Sequence, residues 1–375
     1  MNARRAAFKQ AQTIVVKVGS RTLTHASGKL NLRMMEKIVR ELADLANQGR
    51  RIILVSSGAG AAGMGRLGLQ EKPRTMPEKQ AVAAVGQSLL IQMYEKFFAE
   101  YGFIAAQVLL TRDDFHHRKR YLNSRNTLMT LLQLGVIPVI NENDTVSVEE
   151  IEFGDNDTLS AMVASIIDAD LLVLLTDIPG LYSANPKKDP SARFIKIVEE
   201  LTPQIQQYAG QTDENLATGG MVTKLLAAEI AVNSGIPMII AHGKEKDVLQ
   251  RIVDGEDLGT LFCARKDSLE SRKRWIAFGQ VERGRLIIDS GARKALVEDG
   301  KSLLPSGIIS VVGSFEKGET VAIEDESGRE IARGLVNYNS EELLQIKGLH
   351  TEKAAAILKK DCHEAVHRNN MVVKG

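Results

Sequence analysis

Cysteine is nearly absent from this sequence: Cys263 and Cys362 are the only two in 375 residues. Two cysteines cannot build a disulfide framework, and no CxxC spacing offers a zinc site, so a reducing compartment is the simplest expectation. An excess of one charge is missing too. Lys and Arg number 48 against 47 Asp and Glu, a net charge of +1, which gives the whole molecule no electrostatic reason to seek nucleic acid or an anionic membrane. Long hydrophobic runs are also lacking. None approaches the roughly 18 residues that a membrane span requires, and the basic N-terminus MNARRAAFKQAQ has no apolar core of a signal peptide. These absences predict a cytoplasmic protein with no membrane partner. Internal repeats and low-complexity segments are absent as well.

What is present is ordinary globular composition, 44% hydrophobic and 25% charged, in a chain long enough for two domains of about 100 to 200 residues each. Residues 13 to about 262 repeat one grammar: a short β-branched run, a glycine or polar turn, then a segment of helical period. The runs are TIVVKV, RIILVSS, FIAAQVLL, VIPVIN, LLVLLT and IPMIIA. Most are continuously apolar, as strands buried on both faces of a parallel sheet are. In NLRMMEKIVRELADLANQG, Leu32, Met35, Ile38, Val39, Leu42 and Leu45 share one helical stripe, and Gly49 supplies the stop. The alternation predicts an α/β fold, a three-layer sandwich around a mainly parallel sheet. Its strands are followed by KVGS, SSGAGAAG, NENDT, TDIPG and AHG, turns that should converge at the carboxyl edge where such sheets bind ligands. CARKDSLESRKRW, from 263 to 275, reads as a charged linker. Beyond it, RLIID, GIISVVG and ETVAIED between short turns predict a small β-rich domain.

Several stretches carry chemistry. SSGAGAAG holds GxGxxG at Gly58, Gly60 and Gly63, but no second strand and acidic residue follow at dinucleotide-fold spacing. A turn that lets backbone amides approach an anion is the better reading. TGGMVTK and the GKS at 300–302 are incomplete Walker motifs, so any nucleotide chemistry is not of the P-loop type. Lys17 interrupts an otherwise buried strand, where an ammonium is costly unless it meets an anion; the alternative is a lysine snorkelling from the strand end. Lys224 follows TGG and begins the helix KLLAAEIAV, at the positive helix end that favours phosphate; alone it reads equally as a solvated lysine. FGDNDTLSA, with Asp155, Asn156, Asp157 and Thr158 ahead of an apolar run, is either a helix cap or a site. His116 and His117, in DDFHHRKR, read as surface residues of a polar loop. Lysines, glycine turns and carboxylates, with no Ser-His-Asp or metal-histidine set, suit phosphoryl transfer to a carboxylate, which needs positioned positive charge and no general base.

VVKVGSRTLT, ILVSSGAGAAG, AVAAVGQ, QVLLTRDD, YLNSRNTL, INENDTVS, FGDNDTLSA, LLTDIPGLY and TGGMVTK, in that order, resemble the glutamate 5-kinases of the amino acid kinase family. LLPSGIISVVGSFEKGETVAIED and IARGLVNYNSEEL resemble the PUA domain appended to many bacterial members. The resemblance implies a kinase domain over 1–265 and a PUA domain over 276–375. It implies that Lys17 and Lys224 stabilise the transferring phosphoryl group while Asp157 holds both in place, making FGDNDT cap and site at once. Ser57, Asp144 and Asn156 would bind glutamate, with Gly58 presenting backbone nearby. Thr176, Asp177 and the segment Thr218, Gly219, Gly220, Met221, Val222, Thr223 and Lys224 would bind ATP, with Lys17 at its phosphates. It further implies Mg²⁺ as cofactor, proline as a feedback inhibitor, a homo-oligomer, and a glutamyl-phosphate reductase receiving the product. Departures from the family pattern, Gly60, Asn185 (where Asp often stands) and Ala217, each touch a loop and remove no charged catalytic group. Two rival readings are an acetylglutamate kinase and an RNA-binding PUA protein. Asp144 bears on the first, because a free ammonium calls for an acid. Residues 276–375 bear on the second, with 14 Lys and Arg against 15 Asp and Glu, which is no basic footprint.

Overall fold

The computed structural model describes residues 3–25, 27, 29–146, 156–186, 188–210, 220–265, 282–358 and 364–373. The chain divides into two compact units, the first covering Met1–Phe115 and Lys119–Ser268 and the second carrying Leu269–Gly375. Most of the linker stretch 263–275 lies outside the described residues, as does Cys362.

In chain order the strands of the first unit are β1 Thr13–Val18, β2 Arg51–Ser56, β3 Ala105–Leu110, β4 Ile137–Glu142, β5 Leu171–Thr176, β6 Leu181–Tyr182, β7 Phe194–Ile195, β8 Ile197–Val198, β9 Met238–His242 and β10 Thr260–Phe262. Eight of them form one sheet in the order β3-β4-β2-β1-β5-β9-β10-β8, with β6 and β7 paired separately. Every pairing in the large sheet is parallel except β9 with β10. The continuous apolar runs account for this: all six residues of β1, β4 and β5 are buried. Ile14, Val16 and Val18 pack on one face against Met35, Ile38 and Leu42 of the helix Leu32–Asn47 and Leu90 and Tyr94 of the helix Met76–Glu100. The opposite face receives the helices Asn156–Ile166 and Met221–Asn233, the former buried along almost its whole length. Lys17 alternates onto that second face.

Local signals explain the helix limits. Asn31 caps the helix Leu32–Asn47 by accepting from the Met34 amide at 3.1 Å, and at the first helical position Leu32 stays 47% exposed, outside the expected stripe. Thr75 and Glu78 form a capping box, with Pro77 in the first turn, at the start of Met76–Glu100. The polar stretch DDFHHRKR is mostly helical instead of a loop: Arg112–His116 and Arg118–Gln133 take in all of it but His117, and Phe115 between the charges is fully buried. The strands β8 and β10 escape a pattern reading because two or three residues carry no period.

Two glycines set a close helix crossing. A Cβ on Gly63 would lie 1.9 Å from the Val82 carbonyl oxygen, and one on Gly86 would lie 1.7 Å from that of Ala59. The third glycine of GxGxxG therefore lets the helix Ala59–Leu67 rest on Met76–Glu100. Dinucleotide binding has no part in it.

The second unit is a five-stranded sheet of β11 Gly284–Ile288, β12 Ile308–Gly313, β13 Thr320–Asp325, β14 Glu330–Val336 and β15 Val366–Val373, in the order β12-β11-β13-β14-β15. Only β11 with β13 is parallel. Leu286, Ile288, Val321, Ile323 and Phe315 form its core with Leu296, Leu343 and Ile346 from short helices.

Candidate active site

In the large sheet β1 has β2 on one side and β5 on the other, and the chain builds outward in both directions. Connections leaving the carboxyl ends there diverge and leave a crevice, the place where open α/β sheets take ligands. A cavity of about 370 Å³ lies at that edge. Four of the five predicted turns line it: Lys17 and Gly19–Thr22 after β1, Ser57–Ala61 after β2, Asn141, Glu142 and Asp144 at the end of β4, and Thr176 with Asp177 after β5. The fifth, AHG, stands one layer back, where a Cβ on Gly243 would meet the Thr22 methyl at 2.9 Å.

At the floor of the cavity three charges meet. Asp157, fully buried in the first turn of Asn156–Ile166, takes Lys17 Nζ on Oδ1 at 2.5 Å and Lys224 Nζ on Oδ2 at 2.9 Å. Lys17 and Lys224 are each 4% exposed. Thr223 Oγ1 lies 3.1 Å from Asp157 Oδ2 and 2.8 Å from the Gly220 carbonyl oxygen, within donating distance of both. Two ammoniums share this carboxylate in a poorly solvated place, where their attraction for an arriving anion is far stronger than in water. Both oxygens of the Asp157 carboxylate are engaged by the lysines, and Asp155 lies outside the described residues.

Lys224 sits deeper in its helix than the sequence reading had it. Gly220 is the N-cap and Met221 the first helical residue, so Lys224 is fourth. Val222 is 51% exposed, and neither it nor Met221 lines the cavity. Thr218 and Gly219 lie outside the described residues.

The other wall is amide and hydroxyl. Asn156 Nδ2 donates toward Ser56 O at 3.1 Å, Ser57 Oγ at 2.9 Å and Asn141 Oδ1 at 2.8 Å. Beneath it, the buried hydroxyls of Ser56 and Tyr94 are 2.8 Å apart. Burial pushes the Tyr94 phenol well above its usual value against the Ser56 hydrogen bond, so it stays neutral. Gly58, at φ 110°, caps the helix Ala59–Leu67 and turns the chain from Ser57 along the cavity.

Asp177 stands at the outer end. Burial raises its carboxyl, but its own amide, the Thr176 hydroxyl at 3.1 Å and Arg21 at 3.5 Å outweigh that, and the net is a carboxyl below its usual range. Asn141 and Glu142, both buried and both at the cavity, were not singled out by sequence reasoning. Their signal was there: two adjacent polar residues closing a strand that is otherwise buried and apolar. Asp144 and Ser57 line the cavity as expected.

Two ammoniums held side by side at the carboxyl edge of a parallel sheet are what a transferring phosphoryl group requires, and the arrangement is that of a phosphotransferase. Residues 12–242 match the amino acid kinase family and residues 284–358 the PUA domain. The chain belongs to the amino acid kinase family. It is 53% identical over 372 residues to a protein of Moorella thermoacetica named glutamate 5-kinase, covering 99% of this chain and 98% of that one. It is 57% identical over 361 residues to a protein of the same name from Caldanaerobacter subterraneus subsp. tengcongensis, covering 96% and 97%, and 47% identical over 371 residues to one from Pelobacter propionicus, covering 99% and 100%.

Proposed function

We propose that this chain transfers the terminal phosphoryl group of ATP to the γ-carboxylate of L-glutamate, giving L-glutamyl 5-phosphate, the first step of proline synthesis. The observation that carries the reading is the Lys17–Asp157–Lys224 cluster at the sheet edge, in a chain whose full-length relatives are named glutamate 5-kinase.

A γ-carboxylate with a pKa near about 4.3 is already ionised at neutral pH, so the reaction needs no general base. Its barrier lies in bringing a carboxylate against a polyphosphate and in stabilising charge on the three equatorial oxygens as the bond to ADP loosens. Lys17 and Lys224 supply that charge. Asp157 keeps the two ammoniums together before substrate arrives, when they would otherwise repel each other. Thr176, Asp177 and the segment 218–224 take the nucleotide. Ser57, Asp144 and Asn156 take glutamate, with Asp144 as the acid for its ammonium.

Mg²⁺ accompanies the nucleotide in this reading. An ion brought in by the nucleotide would be ligated mainly by phosphate oxygens and water, with at most one or two carboxylates. Asp177, whose carboxyl lies below its usual range at the cavity's outer end, would be the residue to hold it, and the ion would offset phosphate charge there.

We assign this chemistry to residues 1–265 and leave the PUA domain, 276–375, outside it. A kinase drawing on ATP works in the cytoplasm, and among the described residues no helix is long and apolar enough to cross a membrane. The acyl phosphate product hydrolyses readily, so a reductase that consumes it is the partner the chemistry calls for. A homo-oligomer and inhibition by proline accompany the family reading.

The test is ATP-dependent formation of a hydroxamate when hydroxylamine traps the product. Free L-glutamate should react and N-acetyl-L-glutamate should not. Equal turnover of the two would make the chain an acetylglutamate kinase instead.

A further inference from the structure

The hydrogen bonds on the amide wall have only one consistent assignment. Ser56 O is a backbone carbonyl and can only accept, so the Asn156 atom facing it is the nitrogen. Glu142 N can only donate, so the Asn141 atom 2.9 Å from it is the oxygen. That same oxygen accepts from Asn156 at 2.8 Å. The Asn141 nitrogen must then point the other way, and 2.6 Å from it lies Gln87 Oε1, from the helix Met76–Glu100.

One atom is left over. Asn156 Oδ1 is buried with no hydrogen-bond partner among the described residues, in a side chain that lines the cavity and is 8% exposed. Turning the amide over would set its oxygen against the Ser56 carbonyl and Asn141 Oδ1, which only accept, so the nitrogen keeps its place. A buried amide oxygen without a donor is a cost that a ligand can remove. The ligand group it suits is a hydrogen-bond donor, and Glu142 and Asp144 on the same wall suit a cationic one.

We propose that Gln87 is a positioning residue for substrate recognition: by accepting from Asn141 it locks Asn156 with its carbonyl oxygen committed to the α-ammonium of the bound amino acid. This rests on the glutamate kinase reading above. Gln87 reaches the cavity through Asn141 and Asn156, so its effect falls on amino acid binding and not on phosphoryl transfer.

The test compares Gln87→Met, which removes the acceptor, with Gln87→Glu, which keeps one. Steady-state kinetics with L-glutamate and ATP should show about a tenfold rise in glutamate KM for Gln87→Met, the scale of one lost hydrogen bond. Its kcat and ATP KM should stay within about twofold, and Gln87→Glu should restore most of the glutamate KM. A Gln87→Met enzyme with a lower melting temperature but unchanged glutamate KM would reduce Gln87 to a structural role and overturn the proposal. So would equal rises in both KM values, or a Gln87→Glu enzyme no better than Gln87→Met. Failure of the wild-type protein to phosphorylate free glutamate would instead overturn the functional reading beneath it.

Discussion

Lys17 of β1 and Lys224 of the helix Met221–Asn233 grip opposite oxygens of one carboxylate, at 2.5 and 2.9 Å, with all three side chains out of water. The acid is what makes two neighbouring ammoniums tolerable in the free protein. Both lysines line the cavity, where an arriving anion would meet them.

Asp157→Asn removes the acid and leaves two buried cations facing a neutral amide. Breaking such an arrangement costs about 3–5 kcal/mol. Thermal melts should therefore show a drop of several degrees, and saturating ATP should recover part of it because phosphate replaces the lost charge. A variant that melts like the wild type, with no greater gain from ATP, would deny Asp157 this role.

Asp144→Ala acts on a different quantity. If Asp144 receives the substrate ammonium, its loss removes a charged hydrogen bond, and glutamate KM should rise about 10- to 100-fold with little change in ATP KM. Initial-rate measurements over both substrates separate the two.

Gly86→Ala tests the helix crossing that shapes the cavity wall. Its methyl would meet the Ala59 carbonyl oxygen at 1.7 Å, a backbone atom that cannot swing aside. The helices must separate, at about 1–3 kcal/mol or more. Chemical denaturation should show that loss, together with weaker glutamate binding because the helix Ala59–Leu67 carries cavity residues.

Glu41 offers a pH test. It is buried, accepts the Leu249 amide at 2.9 Å and lies 3.5 Å from Lys37. Burial raises its carboxyl above 4.5 and outweighs the Leu249 and Lys37 interactions that lower it. A raised folded value means a contribution that is complete at low pH and is lost as pH rises through that value. Glu41→Gln keeps an acceptor for Leu249 and carries no charge. Its melting temperature relative to wild type should therefore climb from pH 4 to pH 8, and a flat or falling difference would contradict the assignment.

Much of this was readable beforehand, for identifiable reasons. TIVVKV and LLVLLT are apolar throughout because both sheet faces are covered, and the strands Thr13–Val18 and Leu171–Thr176 coincide with them. Lys17 stood out because such a strand excludes a charge unless something answers it. Lys224 was placed at its helix start because TGG looked like the preceding turn, yet Gly220 has no side chain to mark where the helix begins. Gln87 closes the motif AVAAVGQ but was given no role, since a glutamine on a long helix carries no sign of what it meets from β4. The strand Thr260–Phe262 was missed for a similar reason: three residues have no period, and its place is set by the neighbours β8 and β9.

The steady-state kinetics of Lys224→Ala test the central claim most directly. Loss of an ammonium that acts on the transferring phosphoryl group should lower kcat about 10²- to 10³-fold while glutamate KM changes little. A kcat near the wild-type value with a large rise in glutamate KM would place Lys224 in amino acid binding and contradict the account.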